Sequence, residues 1–204
     1  IEDGVLAWDD TIGELAERGL LPPSILAPLF ARPHPAFADH RLEHFAAHRS
    51  GLLMPEWLDK PTRRLDRYTV DRRAERQRVA MSLLAFPPSR PVGGFLYGQG
   101  NYLVLAMIME NATNTPFETL IQQRLFDPLG ITTAGFGMPT DVALPNGSAT
   151  WLQDPVAARD ADTTAAVNGH LFPDERVDVD NTALPPVWNP AGGVYMSLPD
   201  YMKF

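Results

Sequence analysis

Cysteine is absent from this 204-residue chain. That excludes disulfides, thiolate metal sites and a thiol nucleophile, and it suits an exported bacterial protein and a cytosolic one alike. Lysine is almost absent, with Lys60 and Lys203 the only two. Trp57 and Asp200 stand three residues before them, so the span holds no Ser-x-x-Lys pair. No serine sits in a G-x-S-x-G elbow either. Ser24, Ser50, Ser82, Ser89, Ser148 and Ser197 fail both patterns, and Ser50 and Ser197 read as caps of local structure. No apolar run is long enough to cross a bilayer, and no signal peptide is recognisable. The first residue is Ile1 rather than Met, so a processed or trimmed start, or a sequence given without its true start, is expected.

Hydrophobic residues make up 45% of the chain, enough to bury a sizeable core. One large domain, or a domain with a subdomain, is the expected organisation. The formal net charge is −8 and the pI is near 5.0. That balance argues against nucleic acid or an anionic membrane as the main partner. One segment departs from it. Arg63, Arg64, Arg67, Arg72, Arg73, Arg76 and Arg78 crowd together against Asp66, Asp71 and Glu75. The spacing favours a solvated helix face laced with acid–arginine pairs over a phosphate-binding patch.

Along the chain, Thr11-Ile-Gly-Glu14 is a capping box, and Gly19 is the matching stop for a short helix. Pro22 through Pro35 is a proline-punctuated connection. His40 to Ala47 reads as a helix with Leu42, Phe45 and Ala46 inward, ending near Ser50-Gly51. Asp71 to Ala85 reads as a charged-faced helix. Asn101 to Ala112 is apolar all round, which predicts a central buried helix. Thr115-Pro-Phe-Glu118 is a second capping box, with Phe117, Leu120, Ile121 and Leu125 as an inner stripe and Pro128 and Gly130 as the stop. Residues 134–190 are rich in Pro, Gly, Asp and Thr, with only short possible strands. Ser197-Leu-Pro-Asp200 starts a last helix, which Phe204 cuts short of two turns.

Two clusters carry candidate chemistry. His40-Arg-Leu-Glu-His44 matches the inverted zinc-peptidase pattern H-x-x-E-H, and His48 extends the histidines to i, i+4 and i+8 on one helix face. The competing reading is a helix with ordinary histidines, since Phe45-Ala-Ala places it against a core. The second cluster is Phe95-Leu-Tyr-Gly-Gln-Gly-Asn-Tyr102. Gly98 and Gly100 flank Tyr97 and Gln99, so the backbone could approach a ligand closely. A phenol there can exchange protons and a carboxamide can orient a substrate amide. Taken alone, these residues favour a core tyrosine whose hydroxyl reaches the surface.

Five segments, in order, resemble the serine β-lactamase-like family, which includes class C β-lactamases, D-alanyl-D-alanine carboxypeptidases and related esterases. Ile1-Glu-Asp-Gly-Val-Leu-Ala-Trp-Asp-Asp10 resembles the segment that follows the nucleophile helix. Leu42-Glu-His-Phe-Ala-Ala-His-Arg-Ser-Gly-Leu52 resembles the family's "leu-leu-thr-his-thr-ser-gly-leu" helix. Phe95 to Tyr102 resembles the "tyr-ser-asn" motif. Arg124-Leu-Phe-Asp-Pro-Leu-Gly-Ile131 and Pro190-Ala-Gly-Gly-Val-Tyr-Met-Ser-Leu-Pro-Asp-Tyr-Met-Lys-Phe204 match two further segments. Each match is modest; jointly and in order they are specific.

The resemblance implies an α+β fold, present here mostly as its helical part. Much of the antiparallel sheet and the nucleophile helix would lie outside the span. Residues 1–204 would form one incomplete domain, with a helical subdomain at about 11–130, an irregular excursion at about 134–190 and a return helix beginning at 197–204. It implies that Tyr97 is the motif tyrosine, which helps activate a serine and shuttles its proton. Gln99 falls where the family has asparagine, and its extra methylene moves the head group by about 1 Å or more; Asn101 is the alternative amide. His44 and His48 become structural. The Ser-x-x-Lys would precede Ile1 and the third motif would follow Phe204. The expected reaction is acyl transfer to water from a β-lactam, D-alanyl peptide or small ester, with no cofactor and no metal, in the periplasm or outside a bacterial cell; the cytoplasm is the alternative. The chain alone would be inactive for want of a nucleophile. A ligand-binding or sensing relative is the second reading, and a zinc peptidase through His40 and His44 the third.

Overall fold

Thr11 begins the first helix for a local reason. Its hydroxyl accepts from the Glu14 amide while Glu14 reaches back to the Thr11 amide, a complete capping box. Helix α1 (Ile12–Glu17) follows, and Gly19 ends it at φ +74°. A computed structural model describes residues 1–22, 32–54, 71–136, 166–168, 186–192 and 194–204. Ser24, Trp57, Lys60, Arg63, Arg64, Asp66, Arg67 and Ser148 lie outside the described residues. The chain forms two compact units, Ile1–Phe117 and Glu118–Phe204.

In the first unit, α1 is stitched to α2 (Leu42–Ala46) by a bridge between Thr11 and Arg41. Ile12 N–H donates to His40 O and Leu42 N–H to Asp10 O. Helix α3 (Arg72–Leu84) starts at Asp71, whose carboxylate accepts from the Ala74 amide. Helix α4 (Gly100–Thr113) packs against α3 and α2. It is apolar nearly all round, and Leu103, Val104, Met107 and Ile108 are fully enclosed. Each such side chain contributes roughly 1.5–3 kcal/mol by leaving water. Asn114 closes α4 in the left-handed region at φ 50°, as an asparagine tolerates.

Three expectations need correction here. The arginine-rich helix is not simply a solvated face. Arg76 is enclosed and its guanidinium meets the buried Glu110 carboxylate of α4 at 2.7 Å, while Arg73 donates to Asn111 and Asn114. The apolar helix α4 carries a buried charge because α3 supplies its counter-ion. The histidine helix is shorter than expected. It ends at Ala46, so His40 precedes it and His48 follows it in the left-handed region at φ 53°; the three histidines do not share a helix face. At the next helix, α5 (Phe117–Ile121), the Thr115 hydroxyl donates to Thr113 O and the Phe117 amide is taken by Glu110.

In the second unit α5 runs into a π-helical turn, Gln122–Phe126. Phe126, Ile131 and Met196 form a small core against which Ile121, Leu125, Ala134, Phe136 and Val194 pack. Strands β1 (Gly135–Phe136) and β2 (Ala166–Asn168) flank β3 (Val194–Ser197), both antiparallel to it. A short helix, α6 (Asn189–Gly192), precedes β3. Helix α7 (Leu198–Tyr201) begins at Ser197, whose hydroxyl caps the Asp200 amide, as its spacing predicts. Asp200 Oδ2 in turn accepts from the Thr132 and Thr133 amides and the Thr133 hydroxyl.

Candidate functional site

The Tyr97 segment is held by the loop that follows α2. Gly93 N–H donates to Arg49 O at 2.8 Å and Leu96 N–H to His48 O at 2.8 Å. The Arg49 guanidinium returns to Gly93 O at 2.7 Å. The chain then turns through Gly98 and Gln99 into α4, with the Asn101 and Tyr102 amides donating back to Gly98 O and Gln99 O.

Three backbone groups determine how the buried side chains beneath this turn must be oriented. Leu52 N–H can only donate, so the Ser50 hydroxyl accepts from it at 3.1 Å and sends its own proton to Asn101 Oδ1 at 2.6 Å. Gly98 O can only accept, so the nitrogen of the Asn101 amide faces it at 2.8 Å. Gly98 N–H can only donate, so the His48 Nδ1 it meets at 3.4 Å is unprotonated. The same Nδ1 lies 3.3 Å from Asn101 Nδ2. Ser50 and Asn101 are fully enclosed and His48 nearly so. Burial holds the His48 imidazole below its ordinary pKa, opposed only in part by the Gly98 amide bond.

Above this network stands Tyr97. Its ring centroid is 4.6 Å from that of His48, and the residue is 53% exposed. Tyr102 meets the same imidazole at 5.1 Å, edge on, and its hydroxyl donates to Ala46 O. Phe95 lies 6.2 Å from it. One buried imidazole is thus the hub for three exposed aromatic rings.

The structure separates the three sequence-selected residues. Tyr97 is exposed, contrary to the reading of it as a core tyrosine. Gln99 is the first residue of the turn into α4, half-buried, and its side chain makes no helix-capping bond. Asn101 is turned inward, its amide engaged by Ser50, Gly98 and His48. The glycines serve the protein's own packing: a Cβ at Gly98 would stand 2.8 Å from Leu52 O, and one at Gly100 would stand 2.7 Å from Leu83 Cδ1. Ser50 is not a helix cap; it joins the residue 48–52 loop to α4. The sequence singled out His48 for its histidine spacing and Ser50 as a cap, but gave no sign that both meet Asn101 beneath the Tyr97 turn. His48 meets Tyr97 from a left-handed backbone position, which no local spacing announces.

The other selected groups lie apart. His44 Nδ1 accepts from the Arg41 amide at the start of α2, and His40 packs against Phe37. Among the described residues no three His, Asp or Glu side chains converge as a metal site would require. The Ser82 hydroxyl donates to Arg78 O within α3, and that of Ser197 is shared with Thr133. No described helix is long and apolar enough to cross a membrane.

The sequence model of the β-lactamase family matches residues 1–204. No curated protein matches. The fold is similar to that of a D-amino acid amidase from Ochrobactrum anthropi SV3, at 20% identity and TM-score 0.58, covering 100% of this chain and 48% of the amidase. It is similar to a D-stereospecific amidohydrolase from Streptomyces sp., at 19% identity and TM-score 0.59, covering 100% of this chain and 53% of the other. It is also similar to a β-lactamase/D-alanine carboxypeptidase from Yersinia pestis, at 20% identity and TM-score 0.54, covering 99% of this chain and 46% of the other. The chain therefore spans about half the length of the solved structures it matches.

Proposed function

The chain belongs to the β-lactamase family, and from that premise we propose that it supplies the tyrosine-bearing part of a serine hydrolase acting on an amide or ester. The observation that supports this most is Tyr97: an exposed phenol tilted against a buried imidazole, at the entrance to a helix whose first turn is pinned by a closed polar network. Such a phenol is fixed in position yet free to meet a substrate, which is what a proton-exchanging residue needs. The serine and lysine of the reaction are assigned to sequence outside residues 1–204.

In this reading the serine oxygen bonds to the substrate carbonyl carbon while its proton passes to the general base. Collapse of the tetrahedral adduct breaks the bond to the leaving amine or alcohol, which takes a proton relayed by Tyr97. Water then attacks the acyl-enzyme by the same route, releasing the acid and restoring the serine. Gln99 holds the acyl side chain. Asn101 keeps the turn in place and does not contact substrate, since its amide is engaged within the protein. The names of the neighbouring structures favour amides of D-configured amino acids, D-alanyl peptides and β-lactams as the first substrates to try.

The test is Tyr97→Phe in the full-length protein that carries this chain. The expected result is a fall in kcat of about 10²–10⁴-fold with little change in KM. Unchanged turnover would remove Tyr97 from the chemistry. Absence of any serine adduct with a β-lactam or fluorophosphonate probe would favour the second reading, a ligand-binding relative, which Gln99 in place of the family's asparagine motivates.

A further inference from the structure

We propose that His48 is a positioning residue for Tyr97: its unprotonated Nδ1 receives the Gly98 amide and the Asn101 carboxamide, and so fixes the turn from which the phenol departs. The proposal rests on the proton-exchange reading of Tyr97 and extends it to a residue one loop away.

Three observations meet at this side chain. First, His48 holds a left-handed backbone at φ 53°, one of only two non-glycine residues to do so among the described residues. A histidine there needs surrounding structure to keep it, and such strain is retained where a side chain must be aimed. Second, the imidazole is buried while the ring it supports is exposed. The polar edge faces inward to Gly98 and Asn101, and the phenol stands against it at 4.6 Å. Third, the backbone groups leave Nδ1 no role but acceptor. Gly98 directly follows Tyr97, so a bond to its amide fixes the peptide plane from which the Tyr97 side chain departs. Tyr102 closes on the same imidazole and limits its rotation. A mere filler of core volume would need neither the acceptor nor the left-handed backbone.

Asparagine and phenylalanine separate these contributions. Asparagine at 48 tolerates the left-handed backbone and places an oxygen near Nδ1, but has no ring. Phenylalanine keeps a ring and removes the acceptor. In the full-length protein His48→Phe is expected to lower kcat by about 10–100-fold, the usual cost of misplacing a reacting group by about an ångström, with KM altered far less. His48→Asn recovers most of that loss. In a Tyr97→Phe background both substitutions have no further effect, because the group they position is gone. Equal losses in the two variants, or losses that persist undiminished without the Tyr97 hydroxyl, would overturn the proposal.

Two further readouts do not depend on turnover. Nitrogen NMR of the His48 ring is expected to show a neutral imidazole with the proton on Nε2; a proton on Nδ1 would refute the pin even if His48→Phe failed to fold. Hydrogen exchange at the Gly98 amide should quicken in His48→Phe and return in His48→Asn. If Tyr97→Phe alone leaves kcat unchanged, the hydrolase reading fails, and the ring tautomer and Gly98 exchange still decide whether His48 pins the turn.

Discussion

Arg76 of α3 and Glu110 of α4 face each other at 2.7 Å with both side chains out of solvent. Glu110 Oε1 also takes the Phe117 amide, and the guanidinium lies over the Phe117 ring. The pair therefore joins α3 and α4 to the start of α5. Removing one partner of a buried ion pair costs about 3–5 kcal/mol, whereas replacing both with apolar groups of similar volume costs far less. Arg76→Met and Glu110→Leu should each lower the urea midpoint sharply, and the double variant should recover much of the loss. Additive losses would show that the two side chains act independently.

Asp200 clamps the second unit. Its Oδ2 gathers three donors from Thr132 and Thr133, and its Oδ1 meets Lys203 at 2.5 Å. The Lys203 ammonium and these hydrogen bonds hold the carboxyl well below its usual range. A depressed carboxylate favours folding fully above its unfolded value of about 3.9, and the benefit fades as pH falls toward the folded value. Asp200→Asn should weaken hydrogen-exchange protection at the Thr132 and Thr133 amides near neutral pH. The difference from the parent should shrink in strong acid; a constant difference would assign the effect to shape rather than charge.

These two contacts mark the limit of what local sequence discloses. The starts of α1, α3 and α7 are legible because Thr11, Asp71 and Ser197 satisfy amides only three residues away. The Tyr97 turn is legible as a motif, since its glycines and amides are adjacent. What the turn rests on is not. His48 and Ser50 reach Asn101 across more than fifty residues, and their approach depends on one left-handed residue that nothing nearby requires. Arg76 looks like its surface neighbours in α3, and Glu110 looks misplaced in an apolar helix, until the two helices pack.

His40 supplies a pH dependence for the first unit. It is buried against Phe37 and Phe45, with His44 6.2 Å away. Burial pushes its pKa down, and a charge on His44 would push it further; a Ser50 backbone bond and the Asp39 carboxylate oppose them. His48 is lowered by burial as well, among Phe95, Tyr97 and Tyr102. A histidine with a depressed folded pKa binds its proton more readily when unfolded. The stabilisation is therefore complete above about pH 6.5 and is lost as pH falls through the folded value. Urea midpoints should decline on acidification below that point, and the decline should be shallower in His40→Asn. A midpoint flat from pH 7 to 5 would show that neither imidazole resists its proton.

Gly98→Ala probes the turn from the opposite side to His48. The added methyl would stand 2.8 Å from Leu52 O and 3.4 Å from Asn101 Nδ2. Leu52 O is backbone, anchored by the loop that Ser50 and His48 define, so it cannot swing aside as a flexible side chain would. Relief must come from a shift of the turn itself, at about 1–3 kcal/mol of stability. That shift would carry Tyr97 with it and lengthen the bonds from Asn101 to Gly98 O and from Gly98 N to His48 Nδ1. The expected phenotype couples a lower melting temperature to a lower kcat in the full-length protein. A variant that loses stability while keeping full turnover would show that the phenol does not depend on the turn beneath it.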